Sequence, residues 1–287
     1  MTPNLVRTIT EVRAEVAAAR GRGLSIGVVP TMGALHAGHA ALIARARAET
    51  GFVVVTLFVN PLQFNDPADF AKYPQTLPAD LELCGAHGVD VVFAPTVEEM
   101  YPRPATTHVD VASISEPMEG RFRPGHFQGV ATVVAKLFNI VQPDRAYFGE
   151  KDAQQLALVR RMVDNLNIPV QVIEVPTVRE ADGLALSSRN QRLSESERRD
   201  AIALHQALEA ARQAIEAGER SVFVVKGRAA DVLAGYPEVK TEYIEIVDPE
   251  TMQSVQEFTS AVRIAGAVRV GETRLIDNVP AVPPPVG

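Results

Sequence analysis

Apolar positions along the chain fall into two rhythms. Short, nearly unbroken runs rich in Val, Ile and Phe occur at residues 26–29, 52–59, 90–94, 146–149 and 170–175. Runs of that length without polar alternation predict strands buried on both faces. Between most of them apolar residues recur at helical spacing. Residues 8–20 place Ile9, Val12, Val16 and Ala19 on one face and stop at Gly21 and Gly23, and residues 40–49 and 130–141 read as further helices. Strands alternating with helices predict an α/β architecture, a doubly wound parallel sheet covered on both faces. Beyond residue 178 the pattern changes. A Ser-x-x-Glu capping box at Ser194 and Glu197 opens a helix running to about residue 217, with Gly218 as its stop. A second helix at 222–233 follows, then strands at 241–247, 261–267 and 273–277, and a Pro-rich tail at 281–287. Helices followed by strands predict a smaller α+β domain packed as a lid. The expected boundaries are 1–177 for the larger domain and 178–287 for the smaller.

Composition narrows the partners. The 287 residues suffice for such an arrangement, with 46% hydrophobic and 22% charged residues. A formal net charge of −7 argues against a general nucleic-acid surface, while leaving room for a local cationic pocket. The longest apolar stretches are far too short to span a bilayer, and no signal-peptide apolar region opens the chain, so no membrane partner is expected. Cys84 is the single cysteine, which excludes an internal disulfide and fits a reducing, cytoplasmic setting.

The candidate chemistry sits just past strand ends, where parallel α/β sheets bind ligands. Neither Gly-x-Gly-x-x-Gly nor a Gly-x-x-x-x-Gly-Lys-Ser/Thr loop is present. Instead, Pro30-Thr31-Met32-Gly33-Ala34-Leu35-His36-Ala37-Gly38-His39 joins a strand to a helix. A helix entrance aims free N–H groups and a positive dipole end at one spot, which suits phosphate, and two imidazoles there add donors. Two histidines three apart also fit a zinc site, but no clear cluster of further Cys, His or carboxylate ligands accompanies them. Asn60-Pro61-Leu62-Gln63-Phe64 follows the next strand with two amides placed for a small polar ligand. Phe148-Gly149-Glu150-Lys151-Asp152-Ala153-Gln154-Gln155 ends another strand: Lys151 can reach phosphate, and Asp152 can cap a helix or accept from a ribose hydroxyl. The bland alternative for both is ordinary surface charge. Ser187-Ser188-Arg189-Asn190 makes a compact anion clamp, although that triplet alone has little specificity. Glu119-Gly120-Arg121-Phe122-Arg123-Pro124-Gly125-His126-Phe127-Gln128-Gly129 is rich in Gly and cations and reads equally as a solvated loop.

Taken together and in this order, the motifs resemble those of the pantothenate synthetase (pantoate–β-alanine ligase) family of the His-x-Gly-His nucleotidylyl-transferase superfamily, over essentially the whole chain. The resemblance implies a Rossmann-like fold and an ATP-dependent condensation of (R)-pantoate with β-alanine to pantothenate, AMP and pyrophosphate through a pantoyl adenylate. It implies that His36, His39, Lys151, Ser187, Ser188 and Arg189 are catalytic and hold ATP, with Met32, Gly149, Asp152 and Val178 completing the nucleotide contacts. Gln63 and Gln155, with Asn60 and Met32, are implied for pantoate. Tyr73 looks like part of the family's flap over the site, and 119–129 like a segment near the site and the subunit contact, with no catalytic role for Arg121, Arg123 or His126. Mg²⁺ is expected as the ATP counter-ion, held mainly by phosphates, and a homodimer is expected by resemblance alone. One departure is Leu186, where the family usually carries Met, a mild change of similar volume. Two other readings compete: another nucleotidylyl transferase, of which the usual members are shorter and lack the Asn-Pro-x-Gln and Gln-Gln elements, and a catalytically silent nucleotide-binding protein.

Overall fold

The computed structural model of the chain describes residues 2–65 and 70–285. Its contacts divide the chain into two compact units, Met1–Glu150 with Leu158–Pro176 and Lys151–Ala157 with Thr177–Gly287. Residues 151–157, which the sequence pattern assigns to the larger domain, group with the C-terminal part.

The first unit carries six parallel strands: β1 (Asn4–Val6), β2 (Ile26–Thr31), β3 (Phe52–Leu57), β4 (Val91–Phe93), β5 (Arg145–Gly149) and β6 (Gln171–Val175). Their order is β1-β4-β3-β2-β5-β6, so the chain winds outward on both sides of a switch point between β2 and β5. The register Thr31↔Leu57 brings β2 and β3 to an end side by side, which sets the loops that follow them next to each other. Helices α1 (Ile9–Gly21), α2 (Ala37–Glu49), α3 (Leu77–Ala86) and α4 (His126–Val141) belong to this unit. Val29, Val53, Val55, Val92 and Tyr147 from the strands share one core with Ile43 and Ala46 of α2 and Cys84 of α3. Thr8 caps α1 through a capping box with Glu11, whose pKa is held below the ordinary value by the backbone N–H groups it accepts.

Several boundaries differ from expectation. β1 is an addition, because three residues, one of them exposed, carry no readable period. α2 starts three residues early, so His39 lies inside the helix and His36 caps it. α4 starts at His126, taking in the end of the basic segment.

In the second unit α6 (Glu195–Asp200), α7 (Ala203–Glu216) and α8 (Val222–Leu233) accompany an antiparallel sheet of β7 (Val239–Val247), β8 (Val262–Val270) and β9 (Thr273–Ala281). A further helix, α5 (Ala153–Asn165), begins in this unit and continues in the first. Leu204, Ala207, Leu208, Ala211 and Ile215 of α7 form the core with Ile246, Ile264 and Val268. The single helix expected to residue 217 is interrupted at Ala201-Ile202, where the chain turns so that α7 can present that apolar stripe to the sheet. The expected tail also begins later. Ala281 is buried within β9, and Arg220 donates to the Pro284 carbonyl; Val286 and Gly287 lie outside the described residues. Among the described residues no helix is long and apolar enough to cross a membrane.

Candidate active site

The first unit presents its chemistry beyond β2 and β3. At the end of β2, Thr31 donates its hydroxyl to the Thr56 carbonyl at 2.7 Å and accepts from the Gly33 N–H at 3.2 Å. The turn that follows is held by a residue that sequence reasoning missed. Asp80 on α3, buried, accepts from the Ala34 N–H at 3.1 Å and the Leu35 N–H at 2.8 Å, and its oxygens each lie 3.2 Å from the Thr76 hydroxyl. Those bonds hold Ala34 at φ 51°, a left-handed conformation that a residue with a Cβ resists. The only signal in the sequence is that Asp80 shares the helical spacing of the apolar Leu77, Leu81 and Cys84.

The turn delivers His36 to the N-cap of α2. Its Nδ1 accepts from the Gly38 N–H at 3.1 Å, and His39 Nδ1 accepts from the His36 N–H at 3.3 Å, so the two rings form a capping box. An Nδ1 that accepts a backbone hydrogen bond carries no proton in the neutral ring, which assigns the proton of each imidazole to Nε2. The ring centroids are 4.2 Å apart. Both histidines are thereby N–H donors by construction, beside the positive end of a helix. The glycine between them makes room for the capping imidazole. A Cβ on Gly38 would stand 2.8 Å from His36 Cε1, so the space it leaves is filled by the His36 ring, not by a ligand.

Beyond β3, Asn60 is 1% exposed and saturated by the protein. Its Oδ1 accepts from the Tyr101 hydroxyl at 2.9 Å and, weakly, from the Leu62 N–H at 3.4 Å; its Nδ2 donates to Gly129 O at 3.0 Å and Gln63 Oε1 at 3.2 Å. Asn60 is therefore a strut for Gln63. Gln63 itself directs Nε2 to the Met32 sulfur at 2.8 Å. A thioether is a weak acceptor, so a hydroxyl or carboxylate can replace it at little cost. Met32 and Asn60 thus both bond the Gln63 side chain. The backbone of Gln63 is fixed from the basic segment: His126 Nδ1 donates to its carbonyl at 2.8 Å, Arg123 reaches the same oxygen at 3.4 Å, and Arg123 Nη1 lies 3.1 Å from His126 Nε2. A Cβ on Gly129 would meet Leu62 O at 2.3 Å, so only glycine lets α4 lie against this turn. Tyr73 packs edge-on to Phe64, centroids 5.9 Å apart.

The second unit gathers Lys151, Ser187 and Arg189 around one cavity, with Asn190, His205 and Asp277 in its wall. Lys151 follows β5 by two residues; its side chain is 19% exposed and Nζ lies 3.4 Å from the Asp152 carboxylate, itself 48% exposed. Gln155 occupies the first turn of α5. Val178 accepts from the Leu186 N–H at 3.0 Å and Glu180 N–H donates to Leu184 O at 2.8 Å, a hairpin from which Ser187, Ser188 and Arg189 hang. Ser187 caps the short helical turn Ser188–Arg192 by accepting from the Arg189 N–H. The site residues are therefore divided: Met32, His36, His39, Asn60, Gln63 and Gly149 belong to the first unit, and Lys151, Asp152, Gln155, Val178, Ser187, Ser188 and Arg189 to the second.

The lone thiol has no part in this arrangement. Cys84 is buried, and burial together with the nearby Asp80 charge pushes its pKa up to about 12, so it is an inert thiol of the core. What the side chains of the site offer is mainly donors: imidazole, amide, ammonium, hydroxyl and guanidinium groups.

A family model, pantoate-beta-alanine ligase, matches residues 4–280. The chain belongs to that family. It is 53% identical over 275 residues to a pantothenate synthetase of Moorella thermoacetica, covering 96% of this chain and 97% of the other, and 51% identical over 275 residues to that of Fervidobacterium nodosum, covering 96% and 98%. The crystal structure of pantothenate synthetase from Thermus thermophilus superposes with a TM-score of 0.92 at 49% identity, over 98% of this chain and all of that one. A pantoate-beta-alanine ligase from Francisella tularensis, complexed with beta-gamma ATP and beta-alanine, superposes with a TM-score of 0.80 at 33% identity, over 96% of this chain and 97% of the other.

Proposed function

We infer that the chain condenses (R)-pantoate with β-alanine while cleaving ATP to AMP and pyrophosphate, through a pantoyl adenylate. The observation that carries this reading is the His36–His39 capping box, which commits both imidazoles to donate through Nε2 at a helix N-terminus, in a chain of the pantoate–β-alanine ligase family. A pantoate carboxylate oxygen attacks the α-phosphorus in line, the bond from that phosphorus to the bridging oxygen breaks, and the electron pair departs with pyrophosphate. The β-alanine amine then attacks the activated acyl carbon, the acyl–phosphate bond breaks, and AMP leaves as the amine gives up its proton. A carboxylate needs no protein nucleophile, so the task is to bring anions together and stabilise charge on phosphate oxygens.

The roles of the site residues are those that the family resemblance implies. His36, His39, Lys151, Ser187, Ser188 and Arg189 hold phosphate oxygens. Met32, Gly149, Asp152 and Val178 hold the nucleoside. Gln63 and Gln155 hold the hydroxyls of pantoate, beside Met32, with Asn60 keeping Gln63 in place. The groups assigned to phosphate are nitrogen and hydroxyl donors throughout, and suit phosphate better than a metal cage. Mg²⁺ would accordingly be carried by the phosphates, lowering their charge, with few protein ligands. A homodimer and a cytoplasmic location follow from the family resemblance; the exposed apolar Phe122 in the 119–129 segment fits a subunit contact.

The test is release of pyrophosphate and AMP from ATP and Mg²⁺ with pantoate, with and without β-alanine. Pyrophosphate release that requires pantoate, and AMP release that requires both acids, is the expected result. Pyrophosphate release indifferent to pantoate overturns the assignment. Sedimentation at equilibrium reads the dimer separately.

A further inference from the structure

Two phosphate-facing elements of the second unit, Lys151 and the Ser187-Ser188-Arg189 loop, are far apart in sequence yet are joined through one dipeptide on β9. Asp277 and Asn278 are each 5% exposed. Asp277 takes both terminal nitrogens of Arg179, at 2.7 and 2.9 Å, in a forked pair. Burial opposes its ionisation, but the His205 ring, 3.5 Å away, and the Arg179 guanidinium outweigh it and hold the carboxyl below its ordinary pKa. Arg179 also donates to the carbonyls of Asn278 and Gly183, and it sits at the base of the hairpin that carries the loop, paired with Ala185. Asn190, at the far side of the loop, donates back to Ala185 O at 3.1 Å. Asn278 completes the link in the other direction: its Oδ1 accepts from Arg263 on β8, and its Nδ2 donates to the Lys151 carbonyl at 2.9 Å. A hydrogen bond to that carbonyl fixes the Lys151–Asp152 peptide plane, and with it the direction in which the Lys151 side chain leaves the backbone.

We propose that Asn278, seated by Asp277, Arg179 and Arg263, is a positioning residue that registers Lys151 with the Ser-Ser-Arg loop. The pair touches no phosphate itself; it sets the spacing of the groups that do. The proposal rests on the phosphate role assigned to Lys151 above.

A double-mutant cycle tests it, read as the rate of pantoate-dependent pyrophosphate release at saturating ATP and Mg²⁺. Asn278→Ala is expected to lower kcat about 10- to 100-fold with KM for ATP within a few-fold, since misplacing a donor by about 1 Å costs that much. In the Lys151→Ala background the same change is expected to add less than about 2-fold, because the group it positions is gone. Should Asn278→Ala be poorly folded, Asn278→Asp keeps the shape and the Arg263 contact while removing the donor to Lys151, and takes its place in the cycle. An unimpaired Asn278 variant beside an impaired Lys151→Ala overturns this proposal alone, as does an Asn278 effect that multiplies in full with Lys151→Ala. A Lys151→Ala enzyme as active as the parent overturns the phosphate role of Lys151 and this proposal with it.

Discussion

The two histidines of the helix entrance use one nitrogen for capping and leave the other for the donor role proposed for them. Nδ1 of each closes the capping box, and Nε2 keeps the proton. That division makes the two roles separable. His39→Ala removes both and is expected to lower kcat about 10²–10³-fold, the usual loss for one preorganised donor, and to cost about 1 kcal/mol of stability through the lost cap. Gln at the third helical position can reach back to the N-cap N–H as His39 does, without a ring donor. His39→Gln should therefore recover the thermal midpoint while kcat stays low; recovery of both in the pyrophosphate assay removes the ring from the mechanism. Gln63 is a second case. Its Nε2 rests on the Met32 sulfur, a partner easily exchanged, whereas its backbone is pinned by His126 and Arg123. Gln63→Ala should raise KM for pantoate with ATP affinity by calorimetry nearly unchanged, and the reverse pattern would reassign it to the nucleotide.

At the scale of elements, α3 is there as much for the turn after β2 as for the core. Asp80 satisfies two N–H groups of residues 34 and 35, and Asp80→Ala leaves both without an acceptor, at a cost of roughly 2–4 kcal/mol. Because that turn sets where His36 enters α2, activity should fall further than stability alone explains, measured as kcat well below the unfolding midpoint; unchanged kcat would separate the turn from the site. Buried parallel strands are legible in the sequence because Val and Ile runs leave no polar face, and motif positions follow from strand ends. Asp80, Asn278 and the purpose of Gly38 are not legible there, since each depends on a partner 46, 127 or two residues away whose side-chain direction only the folded chain defines. The break at Ala201-Ile202 is hidden for a related reason, as Ala and Ile are ordinary helix residues and only packing of α7 on the sheet makes a turn there favourable.

At the scale of the whole molecule, the Asp277–Arg179 pair ties pH to stability. A carboxyl held below its ordinary pKa in the folded state adds stability that is fully present above the unfolded value, near pH 3.9, and that drains away as pH falls through the lower folded value. The contribution is thus constant from about pH 5 upward and is lost on the acid side. Asp277→Asn should cost roughly 3–5 kcal/mol at neutral pH, because it strands a largely buried guanidinium. The gap between parent and variant should then narrow as pH drops below about 4, where the carboxyl of the unfolded chain takes up its proton first, and stop narrowing below the lower folded value, where the two folded side chains match in charge. Denaturant titrations from about pH 3 to 7 measure both limbs, followed by probes in each unit so that separate transitions are not averaged. A gap that widens on acidification would mean that burial prevails over the Arg179 contact and that the carboxyl is neutral in the folded chain; Arg179 would then owe its position to the carbonyls of Gly183 and Asn278 alone.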